Sequence, residues 1–396
     1  MFLLDIDENG NTELPENVRF IISKKETAQE IAREILSLKP DIAIAATFYV
    51  TPYDWLPVQD AFVAEELRLH GVKTICSSAK TGITCFDKKW TQDFLEKNGF
   101  NVPKSVYVHH ELFWCERGHH EVKINVYKEY VLNEIKKLTF PVIIKNTCGL
   151  SSYGMEVVPT YKSACAYLSS RKNTSDRIVQ EYIAGSQFGT EIHGTDGNYT
   201  VFPPFIFSVN QYGITSPKQS VKIGPVTNPA FHIAQLQEEL LRLAKLLQAE
   251  GSIQVDLVFT GEKWYIIEIN PRLSGMSSLY AAAQNKSLYE MIAENALNSQ
   301  SAELKTLKYV CNFKLPILTN EQLAILEKHP YIKFVHQIYC AEAKQRRESG
   351  YCEMIFGGTD TLDELSAELQ ELAKTFSDII DTDFLKKAED LERKIK

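Results

Sequence analysis

The sequence predicts an α/β protein with an N-terminal open parallel sheet, a central region of mixed strands and helices, and a C-terminal α/β cap. Three observations carry this. Strand and helix signals alternate over the first part of the chain, up to residue 86, the order that a parallel sheet requires. In the second half, VDLVFTGEKWYIIEIN reads as two apolar strands joined by a short turn. From about Ser301 a last βαβ-like segment follows and ends in a charged helix. The expected boundaries are 1–86, 87–300 (with a subdomain at about 140–184) and 301–396.

Taken in order, VRFIIS (Val18 to Ser23) reads as a strand, and Thr27 to Leu38 places Ile31, Ile35 and Leu38 on one helical face. DIAIAAT (Asp41 to Thr47) is nearly all apolar, the pattern of a parallel strand covered on both faces. LPVQDAFVAEELRLHG reads as a helix ending at Gly71, and VKTICS as the next strand. A helix from Asp87 to Lys97 leads to a polar stretch, HHELFWCERGHHEVKINVYKEY, which reads as a solvated insertion. FPVIIKN begins as a buried strand, YKSACAYLSSR is a helix, and RIVQEYI is a strand running into a turn. TEIHGTDGNYTVFPPFIFSV suggests a hairpin around Thr195-Asp196-Gly197. QLQEELLRLAKLLQAEG is an amphipathic helix that Gly251 is expected to close.

The bulk properties exclude several classes. The 396 residues, 44% hydrophobic and 24% charged, suffice for roughly two or three domains with a sizeable core. A net charge of −8 without a basic block argues against nucleic acid or an anionic membrane as partner. No apolar run approaches the ~20 residues of a membrane helix. MFLLDIDENG turns acidic too soon for a signal peptide, so a cytoplasmic location is expected. The eight cysteines show no CxxC spacing, which points to reduced thiols. Four of the nine histidines fall in the polar stretch, as His109–His110 and His119–His120, but no Cys or carboxylate stands at a recognisable ligand spacing.

Two constellations carry chemistry. Lys145 ends a buried strand, an expensive placement unless an anion meets it. The loop after it, TCGLSSYGM, holds Gly149, Ser151, Ser152 and Gly154, which free the backbone and add hydroxyl donors. Such donors near a lysine describe a phosphate cradle. A Gly/Ser hairpin after an edge strand fits the stretch about equally. In the second constellation, Asp256 and Glu268 lie on adjacent strands, and Asn270 shares a face with Glu268. Three oxygen donors suit a hard cation such as Mg²⁺; the bland alternative is the solvent face of a hairpin. Arg272, two residues on, can clamp a carboxylate or stabilise a transferring phosphoryl group, or form a structural salt bridge.

With these residues in view, the chain resembles the ATP-grasp superfamily of carboxylate–amine ligases from about Asp41 to Asn295. FDKKWTQDFLEKNGFNVPKS resembles the family's DK-plus-helix segment, FPVIIKNTCGLSSYGMEVV its second lysine strand and glycine-rich lid, IVQEYIAGSQFGTE its adenine hinge, and VDLVFTGEKWYIIEINPR its metal-binding strands. The resemblance implies that Lys88 and Lys145 contact ATP phosphates and that the Gly149–Gly154 loop closes over them. It puts Gln180 and Glu181 beside the adenine amino group, the Ile183 backbone at the ring and Gln187 at the ribose. Asp256, Glu268 and Asn270 would hold Mg²⁺ (Mn²⁺ as alternative), and Arg272 would face the acyl phosphate or the substrate carboxylate. Gln180 and Gln187 are amides where many members carry acids. The N-terminus lacks the acidic loop of D-alanine–D-alanine ligases, and NPRLSG is closer to the biotin carboxylase and carbamoyl-phosphate synthetase branch, or to amino-acid ligases. Lys218, with Lys222 second, is the candidate in Asn210 to Pro225 to reach the γ-phosphate or the intermediate.

The implied reaction joins a carboxylate to an amine, amino acids or peptides being the expected substrates. It runs through an acyl phosphate, with release of ADP and phosphate. Alternatives are loading of an amino acid onto a carrier-protein thiol, a nucleotide-binding regulatory module without catalysis, and a small-molecule kinase. Dimers are common among the resembling families.

Overall fold

The computed structural model describes residues 2–5, 18–48, 55–119, 121–149, 155–209, 220–297, 307–338, 350–380 and 382–396. Strand β1 (Phe2–Asp5) pairs in parallel with β2 (Arg19–Ile22). Helix α1 (Ala28–Ser37) starts at a capping box, in which the Thr27 side chain accepts from the Glu30 backbone and Glu30 reaches back. Its buried Ile31 and Ala32 pack on Val63 and Leu67 of α2 (Leu56–Leu69). Between and after these helices, β3 (Ile42–Ile44) and β4 (Lys73–Ile75) form a second parallel pair. The open parallel arrangement expected here is therefore present as two pairs, with β1 an addition that the sequence reading lacked. It also lacked α3 (Ala79–Phe86), whose N-cap is Ser78 and which runs directly into α4 (Lys88–Lys97). Asp87 separates the two, its carboxylate accepting from the Lys89 and Trp90 amides.

A four-stranded antiparallel sheet follows, in the order β5 (Ser105–Val108), β8 (Arg177–Glu181), β6 (Val142–Asn146), β7 (Glu156–Val158). Helices α7 (Val126–Lys136) and α8 (Tyr161–Leu168) cover it through Val131, Ile135, Ala164 and Leu168. The polar stretch is not a solvated insertion. It forms two single turns, α5 (His110–Phe113) and α6 (Cys115–Gly118), and the start of α7. Phe113 is completely buried in this core and Trp114 packs against it, so two apolar residues among many polar ones decide where the segment sits. Its histidines are engaged singly: the His110 ring meets the Asn173 carbonyl at 3.0 Å and His119 meets the Glu121 carboxylate at 3.1 Å. His120 lies outside the described residues. Among the described residues no group of three His, Cys, Asp or Glu side chains could hold a metal.

The largest unit is a nine-stranded antiparallel sheet. Its path runs β14 (Trp264–Asn270), β13 (Gly251–Phe259), β9 (Ser186–Thr195), β11 (Phe205–Phe207), β12 (Val221–Gly224), β15 (Tyr309–Leu315), β17 (Tyr351–Thr359), β16 (Ile332–Ile338), with β10 (Asn198–Val201) also on β9. Side chains alternate across it. One face carries Ile253, Val255, Leu257, Phe188, Ile206, Val221, Ile223, Phe313 and Met354 in a single apolar core. Helices α9 (Ile233–Leu247), α13 (Leu362–Thr375) and α14 (Thr382–Ile395) close that core with Leu240, Leu243, Leu365, Leu369, Phe384 and Leu391. Each such side chain contributes about 2 kcal/mol on burial, so this face anchors the molecule. Helix α9 ends at Gln248, in the left-handed conformation at φ 50°, three residues before the expected Gly251, which instead opens β13 at φ +84°.

The C-terminal segment continues this sheet: β15 pairs with β12, because Cys311, Phe313 and Leu315 extend the same apolar face. Strands β15 and β16 are each antiparallel to β17, which lies between them. They are thus parallel to each other, with α12 (Asn320–Leu326) in their connection.

Candidate functional site

The face of the large sheet opposite the core carries the chemistry. Register places Asp256 opposite Glu268 and Gln254 opposite Asn270. On the next strand Gln254 lies opposite Glu191. A β-bulge falls between Asp256 and Leu257, so that Leu257 pairs with Ile266 and Ile267 is the extra residue. The bulge lets Ile266 point into the apolar core while Glu268, two residues on, points to the polar face.

Gln254 fixes this group. Its amide donates to Asp256 Oδ1 at 2.7 Å and its oxygen accepts from Asn270 Nδ2 at 2.7 Å. The Asn270 oxygen is left facing Arg272 Nη2 at 3.3 Å, while Arg272 Nη1 donates to the Leu273 carbonyl at 3.0 Å. Burial, then the Glu268 charge, pushes the Asp256 carboxyl up to about 6. Burial also works against the Glu268 charge, but Lys88, Lys145 and Arg272 together outweigh it and hold that carboxyl below its usual value.

Two lysines meet this pair, Lys145 from the smaller sheet and Lys88 from helix α4. Lys145, next to last in β6, is 8% exposed. Desolvation is the largest influence on its ammonium and holds it down to about 8; Glu268 opposes this and Lys88 adds to it. Lys88, the first residue of α4, donates from Nζ to the Gly149 carbonyl at 2.9 Å and lies 3.1 Å from Glu268 Oε1. Its backbone amide donates to the Thr147 carbonyl at 2.8 Å, which docks the loop after β6 onto the start of α4. Gly149 has φ +126°, a conformation few other residues adopt, and a side chain there would meet open space. Cys148 donates to Asp87 Oδ2 at 3.4 Å; burial, then Asp87, pushes its thiol up to about 11, which makes it a poor nucleophile at neutral pH.

The other candidates spread out from this centre. Gln180 is buried in β8 and donates to the Gln92 side chain. Glu181 turns away: its carboxylate accepts from the Thr139 amide at 2.7 Å. Ile183 is half-buried just beyond β8, and Gln187 is half-buried in β9 opposite Val258 and Phe207. Ser151, Ser152, Gly154 and Lys218 lie outside the described residues. Beyond Arg272 a small depression, with room for about one water, is lined by Thr47, Asp60, Ser77 and Ser252, at the carboxyl ends of β3 and β4 and the start of β13.

The sequence reading overlooked two groups on this face. Gln254 precedes Asp256 by two, and that spacing alone signals a shared strand face. Glu191, fully buried, accepts from Ser274 Oγ at 2.8 Å, Ser277 Oγ at 2.6 Å and His193 Nε2 at 2.7 Å. This ties β9 to the first turn of α10 (Gly275–Ala283), which α11 (Leu288–Leu297) follows.

Known proteins share the fold that carries these residues. Residues 85–276 match the family model described as "ATP-grasp domain". The carbamoyl phosphate synthase large chain of Clostridium acetobutylicum is 23% identical over 205 residues, 50% of this chain and 19% of that protein. The chain thus covers about a fifth of the length of that curated relative. The crystal structure of L-amino acid ligase from Bacillus licheniformis superposes with a TM-score of 0.65 at 19% identity, covering 92% of this chain and 89% of that one. The biotin carboxylase domain dimer of Hydrogenobacter thermophilus 2-oxoglutarate carboxylase, a complex with MgADP, ADP and bicarbonate, gives 0.61 at 12% identity over 91% of this chain and 80% of that one. At these identities the solved structures speak for the fold. No helix among the described residues is long and apolar enough to cross a membrane.

Proposed function

We propose that this chain, which carries an ATP-grasp domain over residues 85–276, is an ATP-dependent ligase that joins a carboxylate to an amine. The observation that carries the proposal is the convergence of Lys88 and Lys145 on the paired Asp256 and Glu268 at the meeting of the two antiparallel sheets. A buried ammonium beside half-buried carboxylates, with Gly149 bound to Lys88 and open to added atoms, matches the needs of a nucleotide triphosphate and its cation.

Asp256, Glu268 and the Asn270 carboxamide form an oxygen-only donor set, in which the register sets the two carboxylates opposite each other. That set fits Mg²⁺, with Mn²⁺ as the alternative. When bound, the ion supplies positive charge against the phosphate oxygens.

The steps assigned to this chain's residues are these. Lys145 and Lys88 bind the phosphates, and in doing so Lys88 exchanges Glu268 and Gly149 for a phosphate oxygen. Gln180 and the Ile183 backbone flank the base, and Gln187 meets the ribose. A substrate carboxylate attacks the γ-phosphorus and ADP leaves, while Arg272 stabilises the acyl phosphate. An amine then attacks the acyl carbon, loses a proton and expels phosphate. Amino acids are the substrates proposed for both roles.

The test is phosphate release from purified protein with MgATP and pooled amino acids, followed by mass spectrometry. A product mass equal to two substrates minus water, formed with ADP and phosphate, supports the ligase. Failure to bind ATP refutes the reading.

A further inference from the structure

The polar face of the large sheet holds a second charged group that the steps above leave unused. Lys222 on β12 pairs in register with Asn312, and Lys314 follows Asn312 by two, so both lysines rise from the same face. Glu353 on β17 is the register partner of Lys314. The Lys222 ammonium touches the Met276 sulfur at 3.8 Å and lies 4.9 Å from the Phe207 ring centre. The Lys314 ammonium lies 4.7 Å from the Tyr351 ring centre. Among the described residues neither has a carboxylate within ion-pairing distance; the contacts that hold them are aromatic faces and a thioether. Desolvation, then the neighbouring Lys314, holds Lys222 down to about 8, with Glu353, Asp256 and Glu191 the nearest opposing charges.

A half-buried ammonium packed on aromatic faces, with its carboxylates beyond ion-pairing distance, has lost hydration that an anion restores. With Glu353 counted, the group carries a net single positive charge, which a carboxylate matches and a phosphate dianion exceeds. The apolar flanks of Phe207, Tyr351 and Met276 suit a hydrocarbon chain. Strand β12 is the third neighbour of β13 in the sheet. At about 4.8 Å per strand the two backbones are about 14 Å apart, and the lysine side chain spans part of that gap. A small molecule can therefore touch both this group and the Asp256–Glu268 pair.

We propose that Lys222 and Lys314 form a second anion subsite and that the acid activated by this protein is a dicarboxylate. One carboxylate reacts beside Asp256 and Glu268, and the other rests on the two lysines. This rests on the ligase reading above for the identity of the reacting group.

The experiment is calorimetric titration, in the presence of a non-hydrolysable ATP analogue, with succinate, glutarate, L-aspartate and L-glutamate and with their half-amides. Wild-type protein is expected to bind at least one diacid about tenfold more tightly than its half-amide. That preference is expected to fall below about threefold in Lys222→Met and in Lys314→Met and to survive in Lys222→Arg, while Lys314→Met leaves affinity for the ATP analogue unchanged. Retained analogue binding by Lys314→Met, and a wild-type urea transition for Lys222→Met, show that the variants fold. No diacid preference in wild type, or a preference that persists in both methionine variants, overturns the subsite. A lysine-dependent preference without ADP formation for any amine sinks the ligase reading and leaves the subsite standing; turnover of monoacids alone does the reverse.

Discussion

Replacing Lys145 by methionine should make the nucleotide-free protein more stable while removing its grip on ATP. The ammonium is 8% exposed and held down from 10.5 to about 8, mainly by desolvation. At about 1.4 kcal/mol per pH unit, keeping it charged at pH 7 costs at most about 3.5 kcal/mol, with the attraction to Glu268 already counted. Methionine fills similar space without that cost, so the expected gain at pH 7 is up to about 3 kcal/mol. The sign of the pH dependence follows from the depressed pKa. Between pH 8 and 10.5 the unfolded chain holds the Lys145 proton more tightly than the folded one, so wild-type stability rises with pH through that window. The variant lacks this increment, and its advantage should shrink toward zero by pH 10.5. Urea unfolding of both proteins at pH 7, 8.5 and 10 measures it, and titration with a fluorescent ATP analogue should show a loss of about 100-fold or more. A variant less stable than wild type at pH 7, or a gap that ignores pH, refutes the reasoning.

Three further outcomes are expected. Asp256→Asn keeps an oxygen for Gln254 to donate to, so the fold should survive, while ADP formation with MgATP falls about 10³-fold in a coupled assay. Glu191→Gln presents an amide to the hydroxyls of Ser274 and Ser277 and to His193 inside a fully buried cluster; the urea midpoint should report a loss of about 2 kcal/mol. Glu116 is held down to about 2, first by the Asn125 side chain and then by Lys128. A depressed carboxyl stabilises above its unfolded value of 4.5 and stops doing so as pH falls toward 2. Because the side chain is 30% exposed, Glu116→Gln should cost only about 0.5–1 kcal/mol at pH 7 and remove that part of the acid lability, as followed by circular dichroism between pH 5 and 2.

Much of the local structure was legible because it depends on near neighbours. The helical face of Ile31 and Ile35, the turn at Asp196-Gly197 and the apolar runs in VDLVF and WYIIEIN each need only a few residues to be read. The polar stretch was misread for the same reason. Its composition is that of a loop, and only the complete burial of Phe113 among residues far along the chain shows that it belongs to a core. Helix α3 was missed because its helical span AKTGITCF carries a glycine and two threonines, weak helix formers that packing on α2 overrides.

By itself the sequence determined which side chains could carry charge into the interior, and the period of two that sets Asp256 with Gln254 and Lys314 with Asn312. It could not determine which strands lie side by side. That β12 pairs with β15, and so brings Lys222 beside Lys314, is decided by an apolar face assembled from strands nearly a hundred residues apart. Nor could period-two counting place Ile266 and Glu268 on opposite faces; the bulge at Ile267 does that. A bulge arises where the pairing of a whole strand, core side inward and carboxylate side outward, outweighs the regular repeat of its own residues.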